Sequence, residues 1–192
     1  MTIFLILAPY GAFAFLMLVT SATASLFAAA AICLAVIILD VLRGRSVKIL
    51  GAGSVVTFGA VGCYVWLVEP GTSVSAVRLS VDAGVLLVAL LSIMVRRPFT
   101  LQYAIEAAGA ETARLPGFVR GNYIITWAWV AAMLAMTAGN VALLYVPDLP
   151  IWSSLLVAFA ARNSAVYFTK WYPEHRKAKH GSPPVAALPG TG

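Results

Sequence analysis

Charge is scarce in this chain. Of 192 residues, 10% are Asp, Glu, Lys or Arg, against 61% that are apolar. A soluble domain carries about 25% charged and about 45–50% apolar residues, so composition argues against a soluble globular enzyme. Disorder of the whole chain is excluded as well, because it requires low hydrophobicity. Histidine is rarer still: the 2 in the chain are His175 and His180, outside every apolar run. A haem protein or an intramembrane metalloprotease is therefore not expected, and a serine protease lacks its histidine base. No cluster of aspartates resembles the metal-binding set of a phosphotransferase, and no phosphate-binding glycine loop occurs. The 2 cysteines, Cys33 and Cys63, lie in apolar stretches and read as small buried hydrophobes, with neither a redox nor a zinc spacing. No cofactor or metal is expected.

What is present is a series of long apolar runs. A hydrocarbon core of about 30 Å requires about 20 helical residues, and six stretches approach or reach that length: 3–20, 25–42, 47–67, 74–95, 123–146 and 151–172. Barrel strands would alternate over segments of about ten residues, and helices satisfy their own backbone groups in lipid. The expected fold is all-α: one polytopic bundle of six transmembrane helices. The breaks between runs are polar or conformationally disruptive, with Arg43-Gly44-Arg45, Glu69-Pro70-Gly71-Thr72 and Pro147-Asp148-Leu149-Pro150 as the clearest. The first run has no preceding Lys or Arg and is followed at once by a second. It therefore reads as a retained span, with a signal peptide as the lesser alternative.

The basic residues alternate with these spans. Arg43, Arg45 and Lys48 separate spans two and three. Arg96, Arg97, Arg114 and Arg120 separate four and five. Lys170, Arg176, Lys177 and Lys179 close or follow span six. The remaining connections carry none. The positive-inside rule assigns the basic side to the cytoplasm and, with six spans, places both termini there. The chain then reads as a multi-pass membrane protein. Trp66, Trp152, Trp171 and Tyr172 fall at expected headgroup levels. Trp152 and Trp171 are about 28 Å apart along a helix.

Outside the spans, Leu101, Ala104, Ile105 and Ala108 recur at helical spacing beside Gln102 and Glu106. This pattern fits an interfacial helix within 100–113, or a solvated loop. Residues 173–192 read as a disordered tail, basic and then rich in Pro and Gly. The tail is either a topology determinant or a contact for anionic lipid at the cytoplasmic face. The final Leu188-Pro189-Gly190-Thr191-Gly192 matches a sortase pattern without the hydrophobic span that follows a true one, and reads as chance or an appended sequence.

Charges inside spans are costly and mark candidate sites. Arg78 and Asp82, four residues apart, share a helical face. Arg162 lies near the midplane beside Asn163. Two readings compete for Arg78, Asp82, Arg162 and Asn163: a buried cluster in which Asp82 holds one or both arginines and fixes packing, or a basic site for an anionic headgroup or substrate. Asn140 reads as a bond to a neighbouring helix. Small residues in span three, from Gly51 to Cys63, permit close helix approach, either within the bundle or in a homo-oligomer.

Several motifs resemble the intracellular septation protein A family of inner-membrane proteins. They are Arg45-Ser46-Val47-Lys48 opening a span, Arg78-Leu79-Ser80-Val81 early in the next, and the basic turn Arg96-Arg97-Pro98-Phe99. Gly121-Asn122-Tyr123 with Trp127-Ala128-Trp129, and Gly139-Asn140 with Leu149-Pro150-Ile151-Trp152, complete the set. The resemblance spans 45–172 and departs from the pattern at Asp82 and Arg162-Asn163. It implies a non-enzymatic protein of the bacterial inner membrane, serving envelope maintenance and septation and working with other envelope or division membrane proteins and the lipid bilayer. Nucleic acid is not an expected partner. The alternative from the intramembrane charges is a small transporter or lipid-handling protein. A weaker third reading makes Glu106 and Glu111 acid/base groups of an interfacial enzyme.

Overall fold

A computed structural model describes residues 2–146 and 148–180, with side chains from residue 8 onward except 110, 151 and 177–180. The described residues are all-helical, with no strand. The helices are α1 (Thr2–Val19), α2 (Ala22–Leu42), α3 (Ile49–Leu67), α4 (Val74–Met94), α5 (Phe99–Ala108), α6 (Ala110–Ala113), α7 (Pro116–Tyr145) and α8 (Ile151–His180).

Local chemistry sets these boundaries. The Ser21 and Ser73 hydroxyls accept from the amides of Ala24 and Ala76, capping α2 and α4. Pro116 opens α7 at a position where its missing N–H costs nothing. α2 ends on Gly44, left-handed at φ 71°, with Gly44 N–H bonded to Val41 O and Arg45 N–H to Asp40 O. This is the double bond of a Schellman turn. α4 ends in the same way on Arg96 (φ 57°), with Arg96 N–H on Ile93 O and Arg97 N–H on Ser92 O.

Four of the helices, α2, α3, α4 and α7, are long and apolar enough to cross a membrane. The outer surface is apolar to match: Leu18, Phe159 and Trp66 are 71%, 70% and 64% exposed, while Ser25, Ser54, Ser92, Thr126 and Asn140 are buried. In water such an arrangement would be inverted; in a bilayer it is the favourable one. The chain is therefore a membrane protein. α1 and α8 cover the other two expected spans. The described apolar part of α1, Ala8–Val19, is shorter. In α8, Arg162 and Asn163 dilute the apolar run. Beyond Tyr172, where the sequence reading begins a disordered tail, α8 continues through Pro173 to His180; the tail's residues 181–192, with the LPGTG pattern, lie outside the described residues.

The helices pack mainly with their neighbours in a row: α1 on α2, α2 on α3, α3 on α4, α4 on α7 and α7 on α8. The row curls where Tyr10 and Phe13 of α1 meet the Phe58 ring of α3. Between α3 and α4 the backbones approach closely, because a Cβ at Gly53 would overlap Val88 and one at Gly84 would overlap Thr57. Gly51, Gly53 and Gly62 of span three thus face neighbouring helices of the chain, whereas a Cβ at Gly59 would meet nothing within 4 Å and Cys63, read from the sequence as buried, is exposed. α5 lies across one end, against α4 and α7.

Candidate functional sites

The first candidate is the polar cluster between helices. α4 carries Arg78 and Asp82 one turn apart, both half-buried. Asp82 is held from α7: Asn140 Nδ2 donates to its Oδ2 at 2.7 Å. Arg162 on α8 and Arg78 both act electrostatically on the carboxylate. Neither is ion-paired with it; among the described residues the ion pairs are Arg45–Asp40 and Lys48–Glu106. The order of the helices explains this. α7 packs directly on α4, whereas α8 lies behind α7. An amide donor also satisfies the carboxylate without burying a second ion.

Asn163 does not join the cluster. It is exposed, and its Nδ2 donates to Phe159 O of its own helix at 2.7 Å. The cluster is therefore Arg78, Asp82, Asn140 and Arg162, with Asn140 in the place that the sequence reading gave to Asn163. Within it, Arg78 and Arg162 have no hydrogen-bond acceptor among the described residues.

The second candidate is the end of the bundle crossed by α5, and most of its detail is invisible in the sequence. Gln102 and Glu106, on the polar side of α5, face protein. Gln102 Oε1 accepts from Ile49 N–H at 2.8 Å. Glu106 Oε1 accepts from the amide and hydroxyl of Ser46, each at 3.2 Å, and from Lys48 Nζ. Gln102 thus caps α3, whose own Lys48 offers no side-chain cap, and Glu106 places a carboxylate near its positive N-terminus. Lys48 is 4% exposed, and its remaining protons go to Ser46 O and Oγ at 2.9 and 3.0 Å. Burial works to raise the Glu106 carboxyl, but the bonds from Lys48 and Ser46 outweigh it, leaving its pKa below the ordinary carboxylate value. Burial raises the Tyr103 hydroxyl well above the usual phenol range.

The basic turn is built into the same end. Arg96 and Arg97 are exposed while Pro98 and Phe99 are buried. Ser92 Oγ accepts from Phe99 N–H at 3.2 Å, and Thr100 Oγ1 donates to Asn122 O at 2.9 Å. Arg176 Nη1 of α8 reaches Gly117 O at 2.9 Å. Only a lysine four residues before or after Glu106 would have signalled its partner in the sequence; Lys48 lies 58 positions away. Among the described residues no group of His, Cys, Asp and Glu has the arrangement of a metal site.

Comparison with protein-family models, with curated proteins and with solved structures finds no match for the chain.

Proposed function

We propose that the chain is a six-span bacterial inner-membrane protein with both termini cytoplasmic. On this reading it supports envelope maintenance or septation through contacts with lipid and with envelope or division proteins, without catalysis of its own. One observation carries the reading. The Arg45–Lys48 turn, the Arg96–Pro98 turn, the start of α7 and the end of α8 are tied together at one end of the bundle, through Glu106, Thr100 and Arg176. Basic residues scattered along the sequence thereby form one polycationic face, as the positive-inside rule expects of a cytoplasmic surface. Glu106 is committed to Lys48 and Ser46, which favours a structural over an acid/base role. The septation resemblance supplies the cellular setting.

Two measurements test this. Thr72→Cys should react with a membrane-impermeant maleimide in intact spheroplasts, and Arg97→Cys only after permeabilisation; the reverse pattern overturns the topology. A deletion strain should show altered envelope integrity or septum placement, restored by the wild type but not by Arg96→Gly/Arg97→Ala at equal protein level. A deletion strain of normal shape and envelope integrity overturns the role.

A second reading, lipid or small-anion handling at the intramembrane site, is favoured by the half-buried guanidinium groups of Arg78 and Arg162. Such groups require acceptors inside a membrane, and a carboxylate or phosphate would supply them. Uptake of an anionic solute or lipid into proteoliposomes that falls on Arg162→Gln supports this reading. Equal uptake by the variant or by empty liposomes rejects it.

A further inference from the structure

A cleft beside the Arg45–Lys48 turn has a chemistry that neither reading uses. It runs from Asp40 at the end of α2 to Cys33, about 10 Å along the helix, and is open to the outside. Its walls are apolar, formed by Val36 and Ile37 of α2 and Leu50 of α3. At the deep end Tyr10 and Ser54 hydrogen-bond to each other, so this polar pair is already satisfied.

The mouth holds three charged groups: Asp40, Arg45 and Lys48. Lys48 is not available, because its three protons are taken by Glu106 and by the two oxygens of Ser46. That leaves one charge of each sign. Arg45 Nη1 and Asp40 Oδ1 make a single contact of 3.5 Å. The other guanidinium protons and the second carboxylate oxygen have no partner among the described residues. A pair held by one long contact, with Arg45 43% and Asp40 19% exposed, can be opened by a ligand that offers each member its own counter-charge.

We propose that this cleft binds a phospholipid with an ethanolamine headgroup, its phosphate on Arg45, its ammonium on Asp40 and the upper part of one acyl chain between Ile37 and Leu50. The proposal rests on the membrane topology above, which sets the 43–48 turn at headgroup level. A phosphatidylglycerol headgroup supplies the phosphate but leaves Asp40 without a cation. A choline headgroup supplies the cation but has no N–H to donate to the carboxylate.

Native mass spectrometry of the purified full chain, offered equal amounts of phosphatidylethanolamine, phosphatidylglycerol and phosphatidylcholine, tests this. The wild type should retain the ethanolamine lipid about tenfold over either competitor. Asp40→Asn should abolish that preference at unchanged helix content, and Arg45→Lys should preserve part of it. Soluble glycerophosphoethanolamine, which lacks chains, should not displace the lipid. Equal retention of the three lipids by the wild type overturns the proposal without need of any variant, as does an unchanged preference in folded Asp40→Asn. Displacement by the chain-free headgroup overturns the acyl slot. The maleimide labelling above tests the topology separately, so failure of one is distinguishable from failure of the other.

Discussion

At the scale of single residues, Lys48 and Glu106 show how a charge is kept inside a membrane protein. Lys48 is buried with every proton satisfied, so weakening that set of contacts should be costly. Glu106→Gln keeps an acceptor oxygen but removes the counter-charge of Lys48, and is expected to destabilise the protein by about 1.5–3 kcal/mol, the range for a hydrogen bond to a charged group, read from detergent-solubilised thermal melts. Because the folded pKa of Glu106 is lowered, its stabilisation is complete above the unfolded value of 4.5 and is lost as pH falls below that value through the folded one. The melting temperature of the wild type should therefore fall on acidification below pH 4.5 more steeply than that of Glu106→Gln; parallel curves would remove this role. Arg96 gives a prediction of opposite sign. It holds the left-handed position that Gly44 holds in the matching turn of α2, and a side chain there costs about 1–2 kcal/mol. Arg96→Gly should raise stability by a substantial part of that amount.

At the scale of elements, the helices were largely legible and their partners were not. The apolar runs predicted helices at 25–42, 47–67 and 74–95, against Ala22–Leu42, Ile49–Leu67 and Val74–Met94. In these runs length and hydropathy decide the outcome alone. α7 starts earlier than its apolar run, at Pro116, because a helix does not end where hydropathy falls if its capping chemistry lies further back. Polar pairing was harder to foresee. The four-residue spacing of Arg78 and Asp82 pointed to an ion pair, yet the bond that formed crosses to Asn140, on a helix far away in sequence. Small residues in α3 announced close packing but not its partner, which the overlap of Gly53 with Val88 reveals. Gly53→Ala should loosen the α3–α4 contact at a cost of about 1–3 kcal/mol, since a β-branched valine has no free rotamer to retreat into. Asp82→Asn and Asn140→Leu should show a coupling of about 0.6–1.7 kcal/mol in a double-mutant cycle. A coupling of zero would mean that the 2.7 Å bond holds nothing between α4 and α7.

At the scale of the whole molecule, an apolar exterior surrounds polar contacts between helices, while the basic residues outside the bundle gather at one end. The alternation of basic turns with spans already announced the basic end, but hydrophobic periodicity could not show which helix faces meet, because a helix surrounded by lipid and apolar neighbours is hydrophobic on every side. The gathering depends on α5. The 100–113 segment reads in sequence as an interfacial helix or a solvated loop; it is helical from Phe99 to Ala108, its Gln102 and Glu106 grip the start of α3, and Ile105 lies outward.

This strap has a consequence for biosynthesis. Lys48 emerges from the ribosome well before Glu106, as do the amides of Ser46 and Ile49, which wait for residues 102 and 106. Until residues 102 and 106 are synthesised, the start of α3 is an uncapped end with an unneutralised ammonium. The basic end therefore closes only after α4 has been inserted and the chain has turned back through Pro98. Order of synthesis, rather than any single contact, makes the second half of the chain the part that locks the first in place.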